Sequence, residues 1–171
     1  MATVFGAQTV VQRPQWHKRE SVLAYLPPGQ RVTWRRKLQA AYQQPSHPAA
    51  KAALLRIRQE LRLVNESAVK SLDEGFEETL TLHRLGVFSA LGISLKTTNC
   101  LESLNALVGQ RTYKVDHWRT SDQKQRWLAA ALLDIEPRLR RLKGFRSLPR
   151  LQQALQAELR GEGATTGSQA A

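Results

Sequence analysis

Thr97-Thr98-Asn99-Cys100-Leu101-Glu102-Ser103-Leu104-Asn105 is polar where a helix would begin and apolar where one would pack. Asn99-x-x-Glu102 has the spacing of a capping box. In that arrangement the Asn99 side chain accepts from a free amide of the first turn and Glu102 reaches back toward the cap. The helix so opened is predicted over about residues 100–110. Asn105, three positions beyond Glu102, falls on nearly the same face, where it either orders a ligand or meets solvent. Cys100 is the only cysteine, so no intrachain disulfide can form and a reducing compartment is the natural reading. Beside Leu101 its thiol is expected to be a small packed side chain rather than a nucleophile.

Upstream, apolar residues recur at three- and four-residue steps, the mark of helices with one buried face. Val11, Val22, Leu23 and Leu26 define a helix over about residues 8–26, with Lys18, Arg19 and Glu20 outside. Pro14 fits only near the start of such a helix, and Pro27-Pro28-Gly29 ends it. Trp34, Leu38 and Ala41 or Tyr42 define a second helix over 29–43. After the turn Pro45-Ser46-His47-Pro48, where Ser46 or His47 caps, Leu54, Ile57 or Arg58, and Leu61 define a third over 49–63. Asn65 caps a fourth that runs to Leu85 and stops at Gly86. Gly75 inside it costs about 1 kcal/mol relative to Ala, so it marks a close approach or a break. Residues 86–98 are predicted as a helical turn at 87–91 followed by an extended 94–97.

Downstream, Thr120 or Ser121 caps a helix over 122–136 whose Trp127, Ala130, Ala131 and Leu133 suit a core. Pro137 starts or kinks the next segment, which ends near Gly144, and 148–159 form a last amphipathic helix. Residues 1–10 read either as the end of a strand or as a frayed lead-in. Residues 161–171, small and polar, are expected to be disordered. The fold class is mainly α.

The formal net charge of +12 points to a polyanionic partner. Residues 1–60 carry ten Lys/Arg against two Asp/Glu, residues 111–150 eleven against four, and residues 61–110 four against six. Two basic regions thus flank a mildly acidic centre that holds Glu102. Arg31, Arg35, Arg36 and Lys37 form one cationic cluster, and Arg138, Arg140, Arg141, Lys143, Arg146 and Arg150 another. Each either grips phosphates or is a solvated helix face. Trp118 and Trp127 are candidates for base stacking, with core packing the simpler role for Trp127. The longest apolar run, Trp127–Leu133, is too short to span a bilayer, and the N-terminus lacks the basic-then-apolar order of a signal peptide. A cytoplasmic protein without membrane contact is expected.

Several blocks resemble, in order and approximate spacing, those of the Mutator family of bacterial insertion-sequence transposases. They are residues 11–18 (VQRPQWHK), 77–86 (EETLTLHRLG), 97–105 (TTNCLESLN), 126–136 (Arg126-Trp127 through Glu136) and 144–149 (GFRSLP). The resemblance runs from about Phe5 to Leu159. It implies a DDE transposase of ribonuclease H-like fold, whose two Asp and one Glu hold a pair of Mg2+ or Mn2+ ions for cutting and joining DNA at inverted-repeat ends. Glu102 would be the third acidic ligand and the one catalytic residue. Residues 8–95 would form the family's α-helical insertion, and residues 96–160 the C-terminal helices bearing the glutamate.

Two departures qualify what the resemblance implies. The only aspartate before Glu102 is Asp73, and it falls inside a predicted helix rather than at a strand end. Two cations held about 4 Å apart need several converging carboxylates, so one is not enough. The family's Cys-x-x-His is matched by Pro14 and His17, which is no zinc site. His17 would contact DNA, orient the active-site region, or simply be polar near a helix start. The chain is therefore expected to be a C-terminal fragment that is inactive alone and binds no metal tightly, with DNA and full-length transposase as partners. Two alternatives stand beside this: a non-catalytic DNA-binding or interfering regulator of transposition, and a chain that cannot fold stably because helix faces such as 127–133 lack a cover.

Overall fold

Pro14 has no amide hydrogen, so a helix can begin directly after it without leaving that donor unpaired. In the computed structural model α1 is accordingly Gln15–Ala24, shorter than the span its periodicity predicts. The structure describes residues 9–115, 117 and 119–161. The lead-in over residues 1–8, the stacking role of Trp118 and the tail from 162 lie outside them. Residues 9–14 are non-helical because their polar groups are taken elsewhere. Arg13 N donates to Glu78 O at 2.9 Å, the Thr81 hydroxyl to Val11 O at 2.6 Å, and Leu82 N to Gln12 Oε1 at 3.0 Å.

A 3-10 turn at Pro28–Gln30 leads into α2, Arg31–Tyr42. Arg31 turns back to donate to the carbonyls of Leu26 (2.9 Å) and Ala24 (3.3 Å), which closes the end of α1. Helix α3, His47–Arg62, starts at Ser46, whose hydroxyl accepts from Ala49 N. Helix α4, Glu66–Asp73, starts at Asn65, whose side chain accepts from Ala68 N at 3.0 Å and donates to Tyr25 O at 3.0 Å. These four helices enclose one apolar cluster, with Leu23, Leu38, Leu54, Leu61 and Leu72 among its fully buried members.

Lys18 departs from its expected place on the outside. It is buried between α1 and α4, where its ammonium donates to Ser71 O at 2.7 Å and lies 3.5 Å from Glu74. Burial pulls its pKa down, and the Glu74 carboxylate opposes that shift. The hydrophobic spacing of α1 is silent on this, because the lysine stem packs as an apolar group while its head reaches acceptors on a helix far along the chain.

The break anticipated at Gly75 is present. Gly75 takes φ +66°, which only glycine adopts without strain, and a Cβ there would lie 2.5 Å from Arg13 Nε. A 3-10 turn at Glu77–Leu80 follows, then the single turn α5, Thr81–Arg84, and α6, Phe88–Leu95. The extended 94–97 is thereby corrected: the helix continues to Leu95 because Leu91 packs with Leu82 and Val87 in a second apolar cluster. Leu151 of α9, Leu148–Leu159, adds to that cluster, and the Ser94 hydroxyl donates to Lys143 O at 3.0 Å.

His83 sits between the two clusters, stacked on Phe88 with ring centroids 3.6 Å apart, and its Nε2–H donates to Tyr42 O at 3.1 Å. Burial lowers its pKa below the usual value of about 6.5, with the Gln44 and Tyr42 carbonyls opposing. The folded state therefore holds the neutral ring. Stability is complete above pH about 6.5 and is lost as the unfolded chain gains a proton below it. Thermal melts are expected to show a midpoint that falls between pH 7 and 5.5, and His83→Gln to flatten that dependence. An equal pH slope in both proteins would remove His83 as its cause.

The chain forms two compact units, residues 98–142 being one and the remainder the other. The smaller unit is a hairpin of α7, Asn99–Thr112, and α8, Ser121–Ile135, ending in a 3-10 turn at Glu136–Arg138. Thr120 caps α8 by accepting from Gln123 N at 3.1 Å, and Arg111 of α7 pairs with Asp134 of α8 at 2.9 Å. Within α8 only Ala131 and Ile135 are buried. Trp127 is 43% exposed and Leu133 71%, and Ala130 is exposed as well, which corrects the expected core. Two helices alone bury the seam between them and leave their remaining apolar faces uncovered. Among the described residues there is no β-strand, and no helix is long and apolar enough to cross a membrane.

Candidate functional site

Glu102 lies in the first turn of α7 and is exposed. Its backbone amide makes the first helical bond, to Thr98 O at 2.9 Å, and its carboxylate accepts the Thr98 hydroxyl proton. Thr98, not Asn99, is thus the N-cap, and its side chain bonds Glu102 rather than a backbone amide. Asn99 becomes the first helical residue, so the capping box is replaced by a hydroxyl–carboxylate contact one turn apart. Asn105 is exposed on the same helix, and the Cys100 thiol is exposed instead of packed.

The described residues do not form a two-metal centre. Among the described residues no three His, Cys, Asp or Glu side chains come together in a way that could hold a metal ion. Asp73, the one aspartate ahead of Glu102, is held by Arg58 through two bonds, Nε–Oδ1 at 2.6 Å and Nη2–Oδ2 at 2.7 Å. Both of its oxygens thereby serve a fork-shaped ion pair between α3 and α4.

The cationic clusters divide on inspection. Arg35 Nη2 binds Glu20 at 2.9 Å, and this bond holds the Glu20 carboxyl below the ordinary range. Lys37 pairs with Glu60 and lies 4.7 Å above the Trp34 ring. Arg31 is used on the carbonyls at the end of α1. Arg36 is exposed on the outer face of α2. In the hairpin, Arg138 reaches Asp134 at 3.4 Å, and Arg140 and Arg141 are exposed beyond it. Lys143, Arg146 and Arg150 are exposed on the larger unit, next to and within α9.

Two hollows mark the larger unit. One, of about 560 Å³, is lined by Glu77, Glu78 and Glu158 with Arg84 and Arg160. Its three carboxylates make it a poor host for phosphate. The other, of about 180 Å³, lies between α1 and α2 and is lined by Trp16, Arg19, Gln39, Tyr42, Gln43 and Lys96 among others, with no Asp or Glu. His17 is exposed beside it, its ring edge-on to Trp16 with centroids 4.8 Å apart at 83°. The sequence alone assigns no binding role to Trp16, Tyr42 or Lys96. The usable signal was a tryptophan between polar neighbours at a helix start, where core packing does not place one.

A family model described as "Transposase, Mutator family" matches residues 2–140. Neither a curated protein nor a solved structure matches the chain.

Proposed function

The chain belongs to the Mutator family of transposases, and from that premise we propose that these 171 residues bind element DNA in the cytoplasm without cutting it by themselves. The observation that carries this reading is the commitment of Asp73, the one aspartate ahead of Glu102, to Arg58. The family's strand cleavage and transfer, with its Mg2+ or Mn2+ ions, would then need carboxylates supplied from outside these residues, an intact transposase being the fitting source. Glu102 is the single catalytic ligand this chain would bring to a ribonuclease H-like DDE site.

The proposed phosphate contacts are Arg35, Arg36, Lys37, Arg138, Arg140, Arg141 and Lys143, with His17 beside them in role. Arg35, Lys37 and Arg138 would first have to exchange a carboxylate partner for a phosphate. The exposed apolar side of α8, Trp127, Leu128 and Leu133, favours a second reading in which the chain joins and interferes with the intact transposase.

Fluorescence anisotropy with a duplex of the element's inverted-repeat end tests the proposal. Neutralising about four to six phosphates gives a log–log salt slope of roughly −4 to −5. Glu102→Ala and added magnesium are expected to leave the affinity within about twofold, the size of a contact that contributes nothing. Nicking of the duplex by this chain alone, lost in Glu102→Ala, would overturn the proposal, as would salt-insensitive binding.

A further inference from the structure

We infer that the hollow between α1 and α2 accepts one unstacked base of the bound DNA, an inference that rests on the DNA binding proposed above. At about 180 Å³ it is smaller than the roughly 300–1,000 Å³ of sites that enclose whole drug-sized ligands. It suits a single heterocycle with its sugar and phosphate left at the mouth. Trp16 supplies a half-exposed indole, held edge-on by the His17 ring, and indole faces stack on any base.

The walls supply what the edge of a base requires. Gln39 and Gln43 each carry an amide with both donors and an acceptor. Tyr42, almost wholly buried, adds its ring to the wall.

Charge separates this hollow from its larger neighbour. Arg19 and Lys96 stand in the lining, and no carboxylate does. Arg19 already leans toward Gln39, 3.4 Å from its Oε1, while its Nε is held by Glu20 at 3.0 Å. The Lys96 ammonium, 6.0 Å from the centre of the Phe88 ring, remains within the same unit as Trp16. Two cations beside an aromatic face and a set of amide edges match the parts of a nucleotide: phosphate, ring and polar rim.

The test compares the whole chain's affinity for a paired duplex and for the same duplex carrying one bulged thymine. The bulged duplex is expected to bind about tenfold tighter, the size of one base–aromatic stack. Trp16→Ala should erase that preference with less than about a twofold change on the paired duplex, and Trp16→Phe should keep most of it. Equal binding of both duplexes with a steep salt slope overturns this inference and leaves the proposed DNA binding intact. A preference that survives in a normally folded Trp16→Ala protein also overturns it. Binding to neither duplex removes both readings together.

Discussion

Gly144→Ala is expected to detach the segment that follows it from α6. Gly144 holds φ +83°, and a Cβ at that position would lie 2.1 Å from the backbone oxygen of Ala90 and 3.3 Å from Leu91 Cδ2. An L-residue in the left-handed region costs roughly 1–2 kcal/mol. The overlap with a backbone carbonyl adds to this, because no flexible side chain can move out of the way. The bonds at risk are those from Ser94 Oγ to Lys143 O and from Ser147 N to Gly144 O, at 3.0 and 2.8 Å. Limited trypsin digestion is expected to cut at Lys143 and Arg146 far faster in the variant, with the four-helix cluster of residues 15–73 still protected. Equal digestion of the two proteins would show that the segment does not depend on this close approach.

Leu54→Ala should produce the largest loss of global stability. Leu54 is fully buried in α3, at the centre of the cluster it shares with Leu38, Leu61 and Leu72. Truncating a buried leucine to alanine costs about 2–5 kcal/mol through lost transfer energy and the cavity left behind. In a chain of this size that lowers the melting midpoint by roughly 6–12 °C for a loss near 3 kcal/mol. Leu63, one residue past the same helix and 90% exposed, is the matched control. Its replacement by alanine should stay within about 0.5 kcal/mol. Calorimetry on the two variants checks both, and similar midpoints would mean that the α1–α4 cluster is not what holds the unit together.

Local chemistry was legible wherever a residue acts on its own neighbours in sequence. Leu54, Ile57 and Leu61 recur at helical steps and are buried together. Ser46, Asn65 and Thr120 cap the helices that follow them. Gly75 breaks a helix that periodicity alone would have carried through. The family resemblance was legible too, because its motifs are short polar blocks at fixed spacing. The N-terminal helix was misjudged for the opposite reason. Residues 11–13 give their hydrogen bonds to residues 78–82, some seventy positions away, and no local pattern announces that.

The candidate site shows the same division. The wealth of arginines on α2 was plain from composition. That Arg35 and Lys37 serve Glu20 and Glu60 rather than standing free was not, since each carboxylate arrives from a different helix. Thr98 displaced Asn99 as the cap of α7, although both residue types suit that position and they are adjacent. Trp127 reads as core on any periodicity argument, yet it is 43% exposed in the two-helix hairpin.

By itself the sequence determined the helical class, the position of most helices, their apolar faces, the basic character and the family. Each of these is a property of residue type and spacing along one segment. Only the tertiary structure decided the burial of Lys18, the commitment of Asp73 to Arg58, the uncovered face of α8, and the meeting of Trp16, Tyr42 and Lys96 at one hollow. The physical reason is that periodicity records which side of a helix is apolar. What lies against that side, and which distant carboxylate or carbonyl answers a buried charge, is set by how the segments pack.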